Sequence, residues 1–251
     1  MRGIPASTLA VPRGRASRRR RAVARSRRRA ALLLVACCAA ATACSSAAAS
    51  AERAAAASGS AEHAPRETQA VDLTRARQML AELPVRVEDT GAHYNRDDWG
   101  SWRTRSGCDT RERVLLRDGQ DVTTGDDCKI TGGVWVSVYD GRTHTDPAAL
   151  EIDHRVAPRE ALRSGARGWT REQRVAFYND MANLTAVTAS VNESKGDRDP
   201  GRWRPSDRSA WCSYAASYIA TKHDYGLHID RDEHAGLTAM LNSCPAQGES
   251  Q

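Results

Sequence analysis

The residues of this chain best suited to chemistry stand at the end of a short alternating stretch. In Leu150-Glu151-Ile152-Asp153-His154 a carboxylate and an imidazole are neighbours, and Asn183, Asn192 and Lys195 follow downstream. Hydrolysis of a phosphodiester calls for these types. A hard cation on a phosphate oxygen is held by oxygen donors such as a carboxylate and an amide. An imidazole takes a proton from water near neutral pH. Adjacent residues on a regular strand point to opposite sides, so Asp153 and His154 cannot share one ligand role there. At a twisted strand end they divide the work, one reaching a metal and the other facing the attacking water.

The elements that must position these groups follow from the patterning. Leu150 and Ile152 alternate with polar neighbours as in a half-buried strand, and Pro158 with Gly165 and Gly168 indicates that regular structure soon stops. Asn183 opens a second short alternation through Leu184 and Ala186. Asn192 and Lys195 then lie one turn apart on a short helix that Ser190 caps and Gly196 ends. Upstream, residues 68–83 place Val71, Met79, Leu80 and Leu83 on one helical face, ended by Pro84. The stretches around Val114–Leu116 and Val134–Val138 read as apolar alternations between Asp and Gly turns, a small β-rich N-terminal part. In the second, Trp135 and Tyr139 face one side and Val134, Val136 and Val138 the other. Thr170-x-x-Gln173 and Asp230-x-x-Glu233 are capping boxes for two helices, and residues 209–226 form another that closes on Gly226.

These residues resemble a known pattern. Asp153-His154, Asn183-Leu184 and Asn192-x-x-Lys195-Gly196 look like the HNH, or ββα-metal, nuclease motif. The run from Glu151 to Pro205 resembles the HNH domain at the C-terminus of GmrSD-type restriction enzymes, especially a secreted actinobacterial branch. The likeness extends to the stretches 94–102, 107–118 and 211–227. It implies an α+β fold with a ββα-metal core and flanking helices. It also implies a catalytic set of His154, the general base, and Asn183, which holds the loop that orients it. Asp153 and Asn192 would bind one divalent cation, magnesium before manganese, zinc or nickel. Lys195 would touch phosphate or support the helix, and Arg96 and Arg111 would face the substrate. Asn192 replaces the histidine common at the third motif position, which favours an oxygen-preferring metal over zinc. The implied reaction is hydrolysis of nucleic-acid phosphodiesters, DNA before RNA. Its rivals are a non-catalytic envelope binding protein on the same fold and a phosphodiesterase with another substrate.

The rest of the chain sets the surroundings. The formal charge of +6 misleads, because residues 1–43 hold eleven arginines and no acid, and the remainder carries 26 basic against 31 acidic residues. The arginines precede an apolar run of fourteen residues, Ala30–Ala43. That is short of the ~20 a membrane span needs, but suits a signal peptide. Export follows, with the mature protein secreted or anchored by a lipid on Cys44 at the outer face of the membrane. Residues 44–67 read as a disordered linker or tether, 68–245 as the HNH domain and 246–251 as a tail. Within the domain the even set Cys108, Cys128, Cys212 and Cys244 points to two disulfides. Of three connectivities, neighbour pairing closes the shortest loops. Arg155, Arg159, Arg163, Arg167 and Arg171 recur every four residues, as either a solvated surface or a phosphate track.

Overall fold

The computed structural model describes residues 72–91 and 93–245. The expected signal peptide, linker, Cys44, the first residues of the first helix and the C-terminal tail lie outside the described residues.

The first helix, α1 (Leu73–Glu82), starts where the Asp72 carboxylate accepts from the Arg75 amide at 2.8 Å, and buries Ala76, Met79 and Leu80 on one stripe. The stretch expected to alternate around Val114 is instead a helix, α2 (Thr110–Asp118). Asp109 caps it through the Glu112 amide at 2.9 Å, and Val114 and Leu115 go inward together as helical neighbours. The β-rich part is the antiparallel sheet that follows, β1 (Gln120–Thr124), β2 (Ile130–Val136) and β3 (Thr143–His144), in that order. Trp135 and Tyr139 are buried as the alternation required. Gly119 lets the chain leave α2 beneath Trp135, whose indole donates to the Leu115 carbonyl at 2.9 Å; a Cβ at Gly119 would sit 2.4 Å from that nitrogen.

The centre is a hairpin with a helical insertion. Strand β4 (Leu150–His154) pairs antiparallel with β5 (Leu184–Thr188) without a bulge, from Leu150 opposite Thr188 to His154 opposite Leu184. The chain between them does not lose regular structure at Pro158. Proline begins α3 (Pro158–Arg163), since its fixed φ suits the first helical turn and its missing N–H is not needed there. A single 3-10 turn follows, and then α4 (Arg171–Tyr178) with the expected capping box. After β5 the chain enters α5 (Ala189–Lys195). Ser190 lies inside this helix rather than capping it, and Gly196, at φ +58°, ends it. Helices α6 (Trp211–Asp224) and α7 (Arg231–Asn242, with its capping box) complete the α+β domain.

Two apolar clusters clasp the hairpin. Leu150, Leu184 and Ala186 pack with Val114, Leu115, Ile130 and Trp135, while Val187 joins the larger core with Phe177, Tyr218, Ile219 and Leu241. Every residue of β5 is buried, so the strand beside the reactive pair is held on both faces. The disulfides are those of neighbour pairing. Cys108–Cys128 ties the approach to α2 to the β1–β2 turn, and Cys212–Cys244 ties α6 to the end of α7. Each stabilises by about 3 kcal/mol on the chain-entropy view.

Candidate active site

Strand alternation sorts the residues of β4. Glu151 and Asp153 face α5. There Asn192 donates its amide to Glu151 Oε2 at 2.8 Å, and Lys195, one turn later, donates to Asp153 Oδ1 at 2.9 Å. His154 turns the other way, stacked on Trp102 with centroids 5.6 Å apart and planes 13° from parallel, and against Tyr178 at 4.6 Å. Yet Glu151, Asp153, His154 and Asn192 border one open cleft of about 580 Å³, with Arg96 and Arg111 on its wall. The carboxylate and imidazole thus approach one space from opposite faces of the strand.

His154 is only 8% exposed. Burial, aided by the charges of Lys195 and Arg96, lowers its pKa to about 3, against the opposing hydrogen bond to Tyr178. The ring is therefore neutral at physiological pH. Its Nε2 lies 2.8 Å from the Tyr178 carbonyl, which can only accept, so Nε2 carries the proton. The lone pair is left on Nδ1, which has no hydrogen-bond partner among the described residues. Nδ1 is therefore the one ring atom free to accept a proton, and burial weakens that acceptance.

Asp153 is 4% exposed. Besides Lys195, it accepts from the Tyr139 hydroxyl at 2.6 Å on Oδ2. Burial and the Asp153 charge hold that phenol's pKa well above its ordinary value, so it stays a donor. Each carboxylate oxygen has two lone pairs, so one contact apiece leaves acceptor capacity for a cation. Glu151, Asp153 and the Asn192 amide are all hard oxygen donors, a set that fits magnesium or manganese rather than zinc.

Of the expected site residues, Asp153, His154, Asn192, Arg96 and Arg111 meet at this cleft. Arg96 lies over the Tyr178 ring at 4.9 Å and hydrogen-bonds its hydroxyl. Arg111 donates to Glu112 Oε1 at 3.1 Å and to the Pro147 carbonyl at 2.9 Å. Asn183 and Lys195 lie behind the cleft, in structural positions. Asn183 is fully buried, with Oδ1 accepting from the Val156 amide at 2.9 Å and Nδ2 donating to the Val156 carbonyl at 3.0 Å. It clamps the chain just past His154, the structural role expected of it in holding the loop that orients the ring. Lys195 is likewise fully buried, bonded to Asp153 and, at 2.9 Å, to the His154 carbonyl, and cannot reach a substrate phosphate. Of the recurring arginines, Arg163 pairs with Glu160, Glu88 and Asp197, Arg159 lies 3.5 Å from Asp197, Arg167 pairs with Asp89, and Arg155 and Arg171 bind backbone carbonyls.

Sequence reasoning missed Glu151, Trp102 and Tyr139. The first was within reach, since it shares a strand face with Asp153 two residues away. Trp102 and Tyr139 carry no local signal, because distant segments bring them to the site.

Comparison with known proteins agrees with the geometry. No solved structure matches the chain. A protein named "Uncharacterized secreted protein" from Arthroderma benhamiae (strain ATCC MYA-4681 / CBS 112371) is 44% identical over 172 residues, covering 67% of this chain and 84% of that protein. It is fungal, so the match does not carry the actinobacterial branch of the resemblance. Residues 111–240, which include the hairpin, α5 and most of the cleft, match the family described as GmrSD restriction endonucleases, C-terminal domain. The α+β core, the paired strands ending at Asp153-His154 and the helix bearing Asn192 lie within that match, and the chain belongs to the GmrSD C-terminal domain family.

Proposed function

We propose that this protein is an exported, metal-dependent endonuclease of the HNH type, hydrolysing phosphodiester bonds in nucleic acid, DNA before RNA. The observation that carries this reading is the His154 ring, its Nε2 proton directed to the Tyr178 carbonyl and its Nδ1 left free, at a cleft that Glu151, Asp153, Asn192, Arg96 and Arg111 also line.

His154 Nδ1 takes a proton from water as its oxygen attacks phosphorus. The bond from phosphorus to O3′ breaks, O3′ takes a proton from solvent, and the product keeps a 5′-phosphate. Asp153 and Asn192, with Glu151 beside them, would hold the divalent cation, which supplies charge neutralisation at the phosphate oxygens when bound. Lys195 and Tyr139 fix the Asp153 carboxylate. Asn183 fixes the turn after His154. Arg96 and Arg111 attract the flanking phosphates, a contact that weakens as salt rises. The sequence shows no recognisable helix-turn-helix or zinc finger for base readout, so cleavage is expected to show little sequence preference. Export is supported by the basic and apolar N-terminal run and by the name of the fungal relative. Among the described residues no helix is long and apolar enough to cross a membrane. Whether a lipid on Cys44 retains the protein at the membrane is a separate question of processing.

Incubation of the protein with supercoiled plasmid and with RNA, in magnesium or in excess EDTA, tests the assignment. Magnesium-dependent nicking abolished by EDTA is expected. Cleavage that EDTA leaves unchanged, or binding of both polymers without cleavage, would contradict it, the latter pointing to a binding module.

A further inference from the structure

Away from the cleft, three acids from separate segments converge. Glu88 lies in the extended stretch after α1, Asp199 in the loop after α5, and Asp230 is the N-cap of α7. One carboxylate oxygen from each lies within 4.8 Å of the others. Asp199 is fully buried; its Oδ1 accepts from the Gly201 amide at 2.7 Å, but its Oδ2 is sealed from solvent without any hydrogen bond. A buried carboxylate oxygen without a partner is costly and uncommon.

The direction of that oxygen is fixed by Arg202. Its Nε lies 3.8 Å from Asp199 Oδ2 and its Nη2 3.7 Å from Glu88 Oε2, so one planar guanidinium reaches toward both, and both oxygens face the same space. Neither contact is a hydrogen bond, and the Arg202 side chain is half exposed and able to swing away. Glu88 Oε1 accepts from Arg163 at 3.3 Å, and Asp230 Oδ1 caps α7 through the Glu233 amide at 2.8 Å. A surface cleft of about 700 Å³ is lined by Glu88, Asp230 and Arg202, with Asp199 buried outside its lining.

We infer that Glu88, Asp199 and Asp230 form a site for a hard divalent cation of the calcium class, distinct from the catalytic cleft and structural in effect. Calcium–oxygen distances of about 2.3–2.6 Å place ligands across the ion about 5 Å apart, the scale of this cluster. Calcium tolerates irregular shells completed by water, and sites in extracellular modules bind at roughly 10⁻⁴–10⁻³ M. An ion here joins the loop that leaves the motif helix to α7 and to the segment after α1. None of the three acids borders the His154 cleft.

Thermal melting of the full chain in EDTA and in millimolar calcium tests this. Calcium is expected to raise Tm by about 5 °C in the wild type and equally in Asn192→Ala, which alters only the cleft. Asp199→Asn should abolish the shift. Because that substitution is buried, Arg202→Ala on an exposed side chain is the second arm. Removal of the competing charge should tighten calcium, read as the midpoint of the Tm titration, by about tenfold. No shift in the wild type, a shift retained in Asp199→Asn, or an unchanged midpoint in Arg202→Ala would overturn the site. A shift lost in Asn192→Ala would assign the ion to the cleft instead and overturn it as well.

Discussion

Two lysines are wholly buried in this protein, and their settings differ in an instructive way. Lys222 on α6 donates to Glu160 Oε1 at 2.7 Å, Ser164 Oγ at 2.6 Å and the His228 carbonyl at 3.0 Å, and lies 3.0 Å from Glu233 Oε1. Burial works against its charge, but Glu233 and Glu160 outweigh burial and raise its pKa. That network ties α3, α6 and α7 together and ends entirely on scaffold atoms. Lys195 has a single carboxylate partner, Asp153, and that carboxylate borders the open cleft. The same ion-pair chemistry closes a core in one place and holds a ligand group at a surface in the other. What separates them is that Asp153 borders the cleft, whereas Glu160 and Glu233 do not.

The contrast is sharpened by removing each cation. Lys195→Met should have the larger consequence, because it leaves Asp153 buried and unpaired while also releasing a group of the site. A loss of about 3–5 kcal/mol in urea denaturation is expected. At least a tenfold loss of cleavage by the remaining folded protein should accompany it. Lys222→Met should cost a similar amount of stability yet leave the specific activity of folded protein intact. Equal activity losses in the two variants would remove the distinction between them.

A smaller effect concerns Glu233. Burial, against the pull of Lys222, raises its pKa to about 7. A carboxyl raised in the folded state holds its proton more tightly there than in the unfolded chain. Its contribution to stability is therefore complete below about pH 4.5 and is lost as pH rises through about 7. Glu233→Gln should flatten that decline, by on the order of 1 kcal/mol per pH unit, in chemical denaturation series between pH 4.5 and 7. An unchanged slope would show that another group carries it.

Strand β4 was legible residue by residue, because alternation and an abrupt polar end are local signals. Both capping boxes and both disulfides were equally open to reading, the first through fixed spacing and the second through loop length. The errors have a common cause. Val114, Leu115 and Leu116 fit a short strand or a helix turn, and the Asp109 cap decides for helix. Pro158 was read as a stop although the same rigidity starts a helix. Nothing near Lys195 in sequence requires its burial. Its partner lies 42 residues upstream, on the strand against which α5 packs. The pairing of Glu151 with Asn192 and the stacking of Trp102 on His154 likewise appear only when distant segments meet.

The central claim is that the His154 ring acts as base at this cleft, and the measurement closest to it is plasmid cleavage by His154→Ala at matched folded concentration. The variant is expected to lose about 10²–10⁴-fold in rate while remaining folded, and to regain part of that rate on addition of free imidazole. Cleavage by folded His154→Ala at the wild-type rate, with no response to imidazole, would contradict the account.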